Sequence, residues 1–580
     1  MTTIKMSMVT SIMLLFVFLF GFVLAIGDID NIVQLDQGRV LGTVLKSRNG
    51  REFKAFFGIP YAKPPIGDLR FKDPVPAGPW DGVLKPSIKA QNVICIQKNL
   101  FFYQIADVLL GEEDCLYINV YTPKLPTKQD GKLLPVMVWI AGGGFFALGG
   151  SITAFGPQYL LDKDIILVTF NYRLGILGFL STEDKHLPGN YGMKDQVLAL
   201  KWVQKNINVF GGDSNRVTIF GESAGSVSVG LHLLSPMSKG LFHKAIMESS
   251  TPLNLWGVTP PGLAKRRASN VSTVVGCSED PEKMVECLRR VPAAVLVDVY
   301  TNFYEWRNYP ILNFSPVVEC RHLCNEHHES FLTKYPPLEF KQESNVPVLI
   351  GHTSSEGGIF VSRMYNATDL VYTELKDNFN YYFSSMIQYK YTTKSSDIQF
   401  IGDKIFKRYF PDGTLRNVSN AIKATTGGLF LNGVFGMAVK LSQPPYYYVY
   451  DHLNKKTYNS LFGPYPEPRK LGVTHADDTI SLFYMPAIFG NLDGDDLEVS
   501  KLMVNLWTHF ASSDKPTING TKEGQKWPTF DTTSYKYILI NSSNPVISER
   551  PYVDEYEFWR DLPLFSGISY HKTNDLRCEL

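Results

Sequence analysis

The feature that most constrains this chain is the pentapeptide Gly221-Glu222-Ser223-Ala224-Gly225, set between two apolar runs of different period. Before it, Arg216 to Phe220 reads as a buried strand; after it, Ser226 to Leu234 reads as a helix. The spelling G-x-S-x-G alone is weak, because a long chain matches it by chance. Between a strand and a helix it has the form of a nucleophile elbow. The turn is so tight that side chains at its flanks would collide, which accounts for glycine at 221 and 225. The serine is then held at the C-terminal edge of a sheet, near the positive end of a helix.

The rest of the chain supplies the sheet. Leu134 to Ile140, Ile165 to Asn171, Val346 to Ile350 and Tyr446 to Tyr450 are short apolar runs of the kind buried on both faces of a parallel sheet. Asp195 to Ile207 has helical spacing, with Val197, Leu200, Val203 and Ile207 on one face. Strands interleaved with helices predict an α/β fold of the α/β-hydrolase type: a mostly parallel central sheet flanked by helices. Segments 255–345 and 365–440 carry weaker strand signals and are predicted as helical insertions forming the pocket wall. With no convincing linker, 28–565 reads as one catalytic domain and 566–580 as a C-terminal tail.

An elbow serine needs a base to take its proton and a carboxylate to orient that base. In this fold the chain order is serine, acid, histidine. Of eleven histidines, His475 in Gly472-Val473-Thr474-His475-Ala476-Asp477-Asp478 lies far downstream in a loop; His452, His232 and His509 are competitors. Glu356 follows the strand Val348-Leu349-Ile350 and is the acid candidate, although most loop glutamates are simply solvated. Gly142-Gly143-Gly144, after the strand ending at Ile140, offers backbone N–H groups to a tetrahedral oxyanion, with the N–H of Ala224 as their partner. This chemistry calls for no cofactor and no metal.

Bulk properties narrow the setting. The 580 residues carry a net charge of +1 with no basic or acidic block, which gives no reason to expect a nucleic-acid partner. Lys5 followed by the apolar run Ile12 to Ala25 reads as a signal peptide (1–25) cleaved near Ala25 or Gly27. No second run of spanning length appears, so no stable membrane anchor is expected, and the oligomeric state stays open. Sequons at Asn270, Asn366, Asn417, Asn519 and Asn541 fit a secreted glycoprotein; Asn313 is discounted because Pro316 follows its Ser315. Among seven cysteines, proximity suggests the pairs Cys95–Cys115, Cys277–Cys287 and Cys320–Cys324, with Cys578 left over. The run Cys320 to His328 has a zinc-like composition but not the usual ligand spacing, and reads as a small disulfide loop.

Four stretches together resemble the type-B carboxylesterase/cholinesterase family: Glu113 to Val120, Asn171 to Gly175, Phe210 to Asp213 and Phe220 to Gly225. The similarity runs from about Val33 to about Trp559, and Val120 to Pro126 and Ser235 to Phe242 look most like insect members. It implies a carboxylic-ester hydrolase with the triad Ser223, Glu356 and His475, the oxyanion hole Gly143, Gly144 and Ala224, and disulfides Cys95–Cys115 and Cys277–Cys287. It also implies ion pairs of Arg70 with Glu113 and Arg173 with Asp195, and puts Glu222 beside the nucleophile.

Three departures stand out. His-Gly-Gly-Gly-Phe reads Ala141-Gly142-Gly143-Gly144-Phe145, which predicts altered loop packing. Gln-Ser-Gly after the next strand reads Glu248-Ser249-Ser250, and Ser250 is expected to narrow the pocket floor. Glu222 stands where insect juvenile hormone esterases carry Gln, which weighs against that substrate. Between Cys95 and Cys115 there is no Trp to receive a quaternary ammonium group, which favours a neutral, apolar ester over choline esters. Two alternatives to general turnover stay open: slow-turnover ester sequestration, and juvenile hormone hydrolysis.

Overall fold

Leu134–Ile140 is buried at every residue, and it lies in the middle of the molecule. A computed structural model describes residues 31–100, 107–126, 132–319, 329–364, 369–463, 465–521 and 523–568. The N-terminal segment read as a signal peptide, Cys320–Cys324, Asn366 and Cys578 fall outside these. An eleven-stranded sheet organises the chain. Its strands are β1 (Thr43–Lys46), β2 (Glu52–Pro60), β3 (Tyr117–Thr122), β4 (Leu134–Ile140), β5 (Ile166–Phe170), β6 (Gly212–Glu222), β7 (Lys244–Glu248), β8 (Val348–Thr353), β9 (Tyr446–Tyr450), β10 (Tyr537–Ile540) and β11 (Val546–Ser548). Their spatial order is β11-β10-β9-β8-β7-β6-β4-β5-β3-β2-β1.

From β10 across to β5 every pairing is parallel. The pairings outside that block are antiparallel. This is the mostly parallel sheet of an α/β-hydrolase. Parallel strands need crossovers, and the crossovers cover both faces with helices; hence the continuous apolar runs of the central strands. Trp139 of β4 shows the result. It has no exposed surface and packs on Phe220 of β6, Phe155 and Phe483, with ring centroids 4.9, 5.1 and 4.6 Å away.

The main helices are α1 (Tyr191–Asn206), α2 (Ala224–Leu234), α3 (Leu263–Val274), α4 (Pro281–Leu288), α5 (Ser395–Tyr409), α6 (Val418–Thr426), α7 (Asn432–Lys440), α8 (Gly494–Ser512) and α9 (Val553–Arg560). Helix α2 is buried along its whole length, and its small residues Ala224, Gly225, Ser226, Ser228 and Gly230 let it lie close against the sheet. The segment 365–440 is largely helical where described. Among the described residues of 255–345, helix is confined to the first half, and 304–319 and 329–347 are extended chain and turns.

Polar ties hold the periphery. Arg173 and Asp195 form a buried bidentate pair at 2.8 and 2.7 Å. Removing one member of such a pair leaves an uncompensated charge, at a cost of about 3–5 kcal/mol. Arg70 grips Glu113 at 2.5 and 2.7 Å and donates to the carbonyls of Leu288, Arg289 and Val291. Glu113 neighbours the disulfide Cys95–Cys115, and the three carbonyls follow the disulfide Cys277–Cys287, so one guanidinium couples the two loops. No helix among the described residues is long and apolar enough to cross a membrane. The sequon residues Asn270, Asn417, Asn519 and Asn541 are exposed, whereas Asn313 is buried.

Candidate active site

The parallel strands point their C-terminal ends at one edge of the sheet, and the candidate groups gather there. Strand β6 runs through Glu222, two residues beyond the predicted end, and α2 begins at Ala224, two residues before the predicted start. Ser223 alone makes the turn, at φ 58° and ψ −123°. That conformation is strained for a residue with a side chain, and the surroundings impose it. The Ser223 N–H donates to the Glu248 carbonyl at 2.9 Å, and the Val227 N–H donates to the Ser223 carbonyl at 2.9 Å. A Cβ at position 221 would come within 2.6 Å of the Ile140 carbonyl oxygen, and one at 225 would collide with the same atom. Only glycine fits at either flank.

The Gly142-Gly143-Gly144 loop lies against this turn. A Cβ at 142 would sit 2.6 Å from the Glu222 carbonyl oxygen. Gly143 and Gly144 have φ of 96° and 60°, and the Gly143 carbonyl is pinned by the N–H groups of Phe146 and Ala147 at 3.1 and 3.0 Å. Gly143, Gly144 and Ser223 line one cleft together. Ala141 is buried, and its carbonyl accepts a 2.7 Å hydrogen bond from the Tyr172 hydroxyl. Ser250 is buried too, beneath α2, where its carbonyl accepts from the Ser226 hydroxyl at 2.5 Å. Ser250 is not among the residues lining the cleft, so it does not narrow the floor; the tight approach of α2 to the post-β7 turn takes it inward.

Glu356 is completely buried, unlike an ordinary loop glutamate. One carboxylate oxygen accepts from the Thr353 N–H at 2.7 Å and the other lies 2.5 Å from His475 Nδ1. The two loops are also tied backbone to backbone, Ser355 N–H to the Val473 carbonyl at 2.9 Å. Asp477 braces the histidine loop from inside, accepting from the N–H groups of Thr474 and Tyr458, both at 2.9 Å. His475 Nε2 lies 3.0 Å from Glu222 Oε1, and its ring packs at a tilt of 37° against Phe430 with centroids 4.4 Å apart. Ser223 shares the cleft but makes no hydrogen bond to His475, whose Nε2 faces Glu222.

The electrostatics follow from burial. Desolvation opposes a charge on His475, but Glu222 and Glu356 on either side outweigh it and raise its pKa to about 10. Burial raises Glu222, against the pull of His475. Burial, then Glu222 and Glu356, push Asp478 up to about 8. The competing histidines are elsewhere. His232 is buried between Ser238 and Gln196, where desolvation drops its pKa to about 3, and His452 pairs with Asp496 at 2.8 Å. Neither lines the cleft, nor does His509.

Two features lay outside the sequence reading. Phe430 belongs to a π-helical segment, Gly427–Leu431, inserted between α6 and α7. Its widened turn is held by side-chain donors: Asn254 Nδ2 reaches the Leu429 and Phe430 carbonyls at 2.8 Å each, and Trp256 Nε1 reaches Leu429 at 2.9 Å. Single-turn π segments concentrate at functional sites. The Gly427-Gly428 pair inside a helical run is the only sequence cue to it. The second feature is a group of buried carboxyls, Glu222, Glu248, Asp477 and Asp478, behind the serine.

An α/β-hydrolase sheet with a serine elbow, a carboxylate–histidine pair and a glycine loop defines a class: serine hydrolases that cleave acyl bonds without a bound cofactor. The carboxylesterase family model matches residues 29–559, and the chain belongs to that family. It is 38% identical to a juvenile hormone esterase of Tribolium castaneum over 84% of each chain, and 36% identical to esterase FE4 of Myzus persicae over 94% of this chain and 95% of that one. The crystal structure of juvenile hormone esterase from Manduca sexta, with OTFP covalently attached, superposes with a TM-score of 0.79 at 26% identity, covering 92% of this chain and 99% of that one. The protein is a carboxylic-ester hydrolase.

Proposed function

We propose that Ser223, His475 and Glu356 are the catalytic triad and that the N–H groups of Gly143, Gly144 and Ala224 form the oxyanion hole. The observation that carries this reading is the 2.5 Å contact of His475 Nδ1 with buried Glu356, opening onto the cleft that the strained Ser223 also lines. The imidazole swings its Nε2 from Glu222 to the Ser223 hydroxyl and takes its proton as Oγ attacks the ester carbonyl. Catalytic hydrogen bonds of this kind tighten as substrate is bound. The oxyanion is met by the three N–H groups, an arrangement in which each donor contributes about 2.7–4 kcal/mol. His475 then protonates the departing alcohol, and a water molecule repeats the sequence to release the carboxylate. Glu356 keeps the proton-bearing Nδ1 fixed throughout.

Apolar side chains dominate the rest of the cleft, among them Trp256, Leu312, Ile359, Phe360 and Phe430, which suits a neutral, apolar ester. The N-terminal apolar segment, two disulfides and exposed sequons support a secreted, glycosylated enzyme. Ser223→Ala is expected to lose at least about 10³-fold in kcat/KM on p-nitrophenyl esters. It is also expected to lose all labelling by a fluorophosphonate, which the wild type takes up at one equivalent per chain. Labelling that survives in Ser223→Ala sinks the assignment.

A second reading, hydrolysis of juvenile hormone, is favoured by the Tribolium and Manduca relatives. Glu222 in place of Gln speaks for the broader esterase. Comparing kcat/KM for juvenile hormone with simple esters of graded acyl and alcohol length separates them. A single burst of product followed by near-zero turnover on every ester would instead establish a sequestering protein.

A further inference from the structure

Strands β6 and β7 end side by side in register, with Glu222 opposite Glu248. The pairing places a second glutamate next to the one that faces His475. Glu248 is fully buried, and one of its carboxyl oxygens accepts from the indole N–H of Trp507 at 2.6 Å. Asp478, three residues past His475, is fully buried as well, and one of its oxygens accepts from the Tyr448 hydroxyl at 2.9 Å. The two donors pack edge to face, with Trp507 and Tyr448 ring centroids 5.1 Å apart. Two neighbouring aromatic donors thus each hold one carboxyl. The remaining oxygens, Glu248 Oε2 and Asp478 Oδ1, are buried without a hydrogen-bond donor.

Two unpaired carboxylates in a dry interior are mutually repulsive and individually costly to desolvate. A single proton held between them removes one charge and gives both orphan oxygens a partner. We propose that Glu248 and Asp478 share one proton beneath the nucleophile, and that this pair is a positioning device that limits the negative charge acting on Glu222 and His475.

The surroundings bear on both members. Glu222 and Glu356 add negative charge, His475 supplies positive charge, and Asp477 with the phenols of Tyr448, Tyr450 and Tyr458 completes the titratable set. Burial, then the charge of Asp478, pushes Glu248 well above the ordinary carboxylate range. With the shared proton in place the pair carries one negative charge instead of two. The smaller charge favours imidazolium less, and so frees the base at lower pH. That single charge belongs to the pair rather than to either residue.

Glu248→Gln tests this on the whole chain, since an amide N–H₂ replaces the shared proton and keeps the pair's charge at its neutral-pH value. Infrared difference spectra, wild type minus Glu248→Gln at pH 7.5, are expected to show one protonated-carboxyl C=O band lost, with a small downshift of that band in D₂O. The acid limb of the kcat/KM profile is expected to stay in place in the variant, because one charge remains on the pair, and to move down by about one pH unit or more only when both carboxyls are replaced, in Glu248→Gln/Asp478→Asn. Asp478→Asn serves as the second variant, predicted to lose the same band, should Glu248→Gln fold poorly. An unchanged carboxyl spectrum in both variants overturns the proton-sharing pair. An acid limb that moves down in either single variant overturns the shared proton, since it shows two ionised carboxylates in the wild type. An acid limb unmoved in the double variant overturns the pair's action on the base and leaves a packing role. The kinetic arm rests on the triad proposed above; the infrared arm does not, so failure of either is distinguishable.

Discussion

At the scale of single residues, Glu222 is the group that most alters how the site behaves. His475 lies between two carboxylates, and both favour its charged form. An imidazolium cannot accept the Ser223 proton, so the acid limb of the pH profile reports the loss of that charge. Glu222→Gln keeps the size of the side chain and removes one of the two attractions. The folded pKa of His475 then falls, and the base is free at lower pH. The acid limb of kcat/KM is expected to move downward by about one to three units, the range for loss of a nearby opposite charge. A pH series on a neutral ester measures it, and an unmoved or raised limb would contradict the Glu222–His475 contact. Glu356→Gln, by contrast, should abolish most turnover, because Glu356 also fixes the ring through Nδ1.

At the scale of elements, much was legible because the physics of a parallel strand is local. Leu134–Ile140 and Tyr446–Tyr450 are buried on both faces, so burial writes itself as an unbroken apolar or aromatic run with clear ends. The elbow was legible because its two glycines answer a collision with one carbonyl, Ile140. The short strands Tyr537–Ile540 and Val546–Ser548 were not, since they carry only half-buried edge patterns. Nor was the burial of Asp477 and Asp478, because an Asp-Asp pair in a loop spells solvent until backbone N–H groups and a tyrosine are folded around it. The π-helical turn at Gly427–Leu431 was invisible for a related reason: its register depends on Asn254 and Trp256, far away in the chain.

That dependence can be measured. Asn254→Ala leaves the carbonyls of Leu429 and Phe430 without their amide donor, in a site closed to water. The cost is expected to be about 1–3 kcal/mol of stability. If the π turn also seats Phe430 against His475, kcat will fall while KM changes little, because the base loses its backing rather than the substrate its pocket. Stability lost with kcat intact would reduce the segment to scaffold.

For the whole molecule, the buried ionisable groups set how stability responds to pH. Asp478 titrates at about 8 in the folded chain and Asp477 at about 7, against about 3.9 when exposed; His475 titrates at about 10, against about 6.5. All three bind protons more tightly folded than unfolded. Their contribution is complete below the unfolded pKa and is lost as pH rises through the folded one, from about 4 to 8 for the aspartates and from about 6.5 to 10 for His475. His232 acts the other way, with a folded pKa of about 3, so its contribution is present above about 6.5 and lost as pH falls towards 3. Below pH 6.5 the two tendencies oppose each other. Above it only the loss remains, and the apparent Tm at a fixed scan rate is expected to decline steadily from pH 7 to 10. Asp478→Asn should flatten the part of that decline between about 7 and 8, since an amide has no proton to lose, while leaving the slope towards 10 that belongs to His475. A Tm that stays level or climbs across that range would mean that these carboxyls and the imidazole are solvated in the folded protein, and the cluster behind Ser223 would have to be open to water.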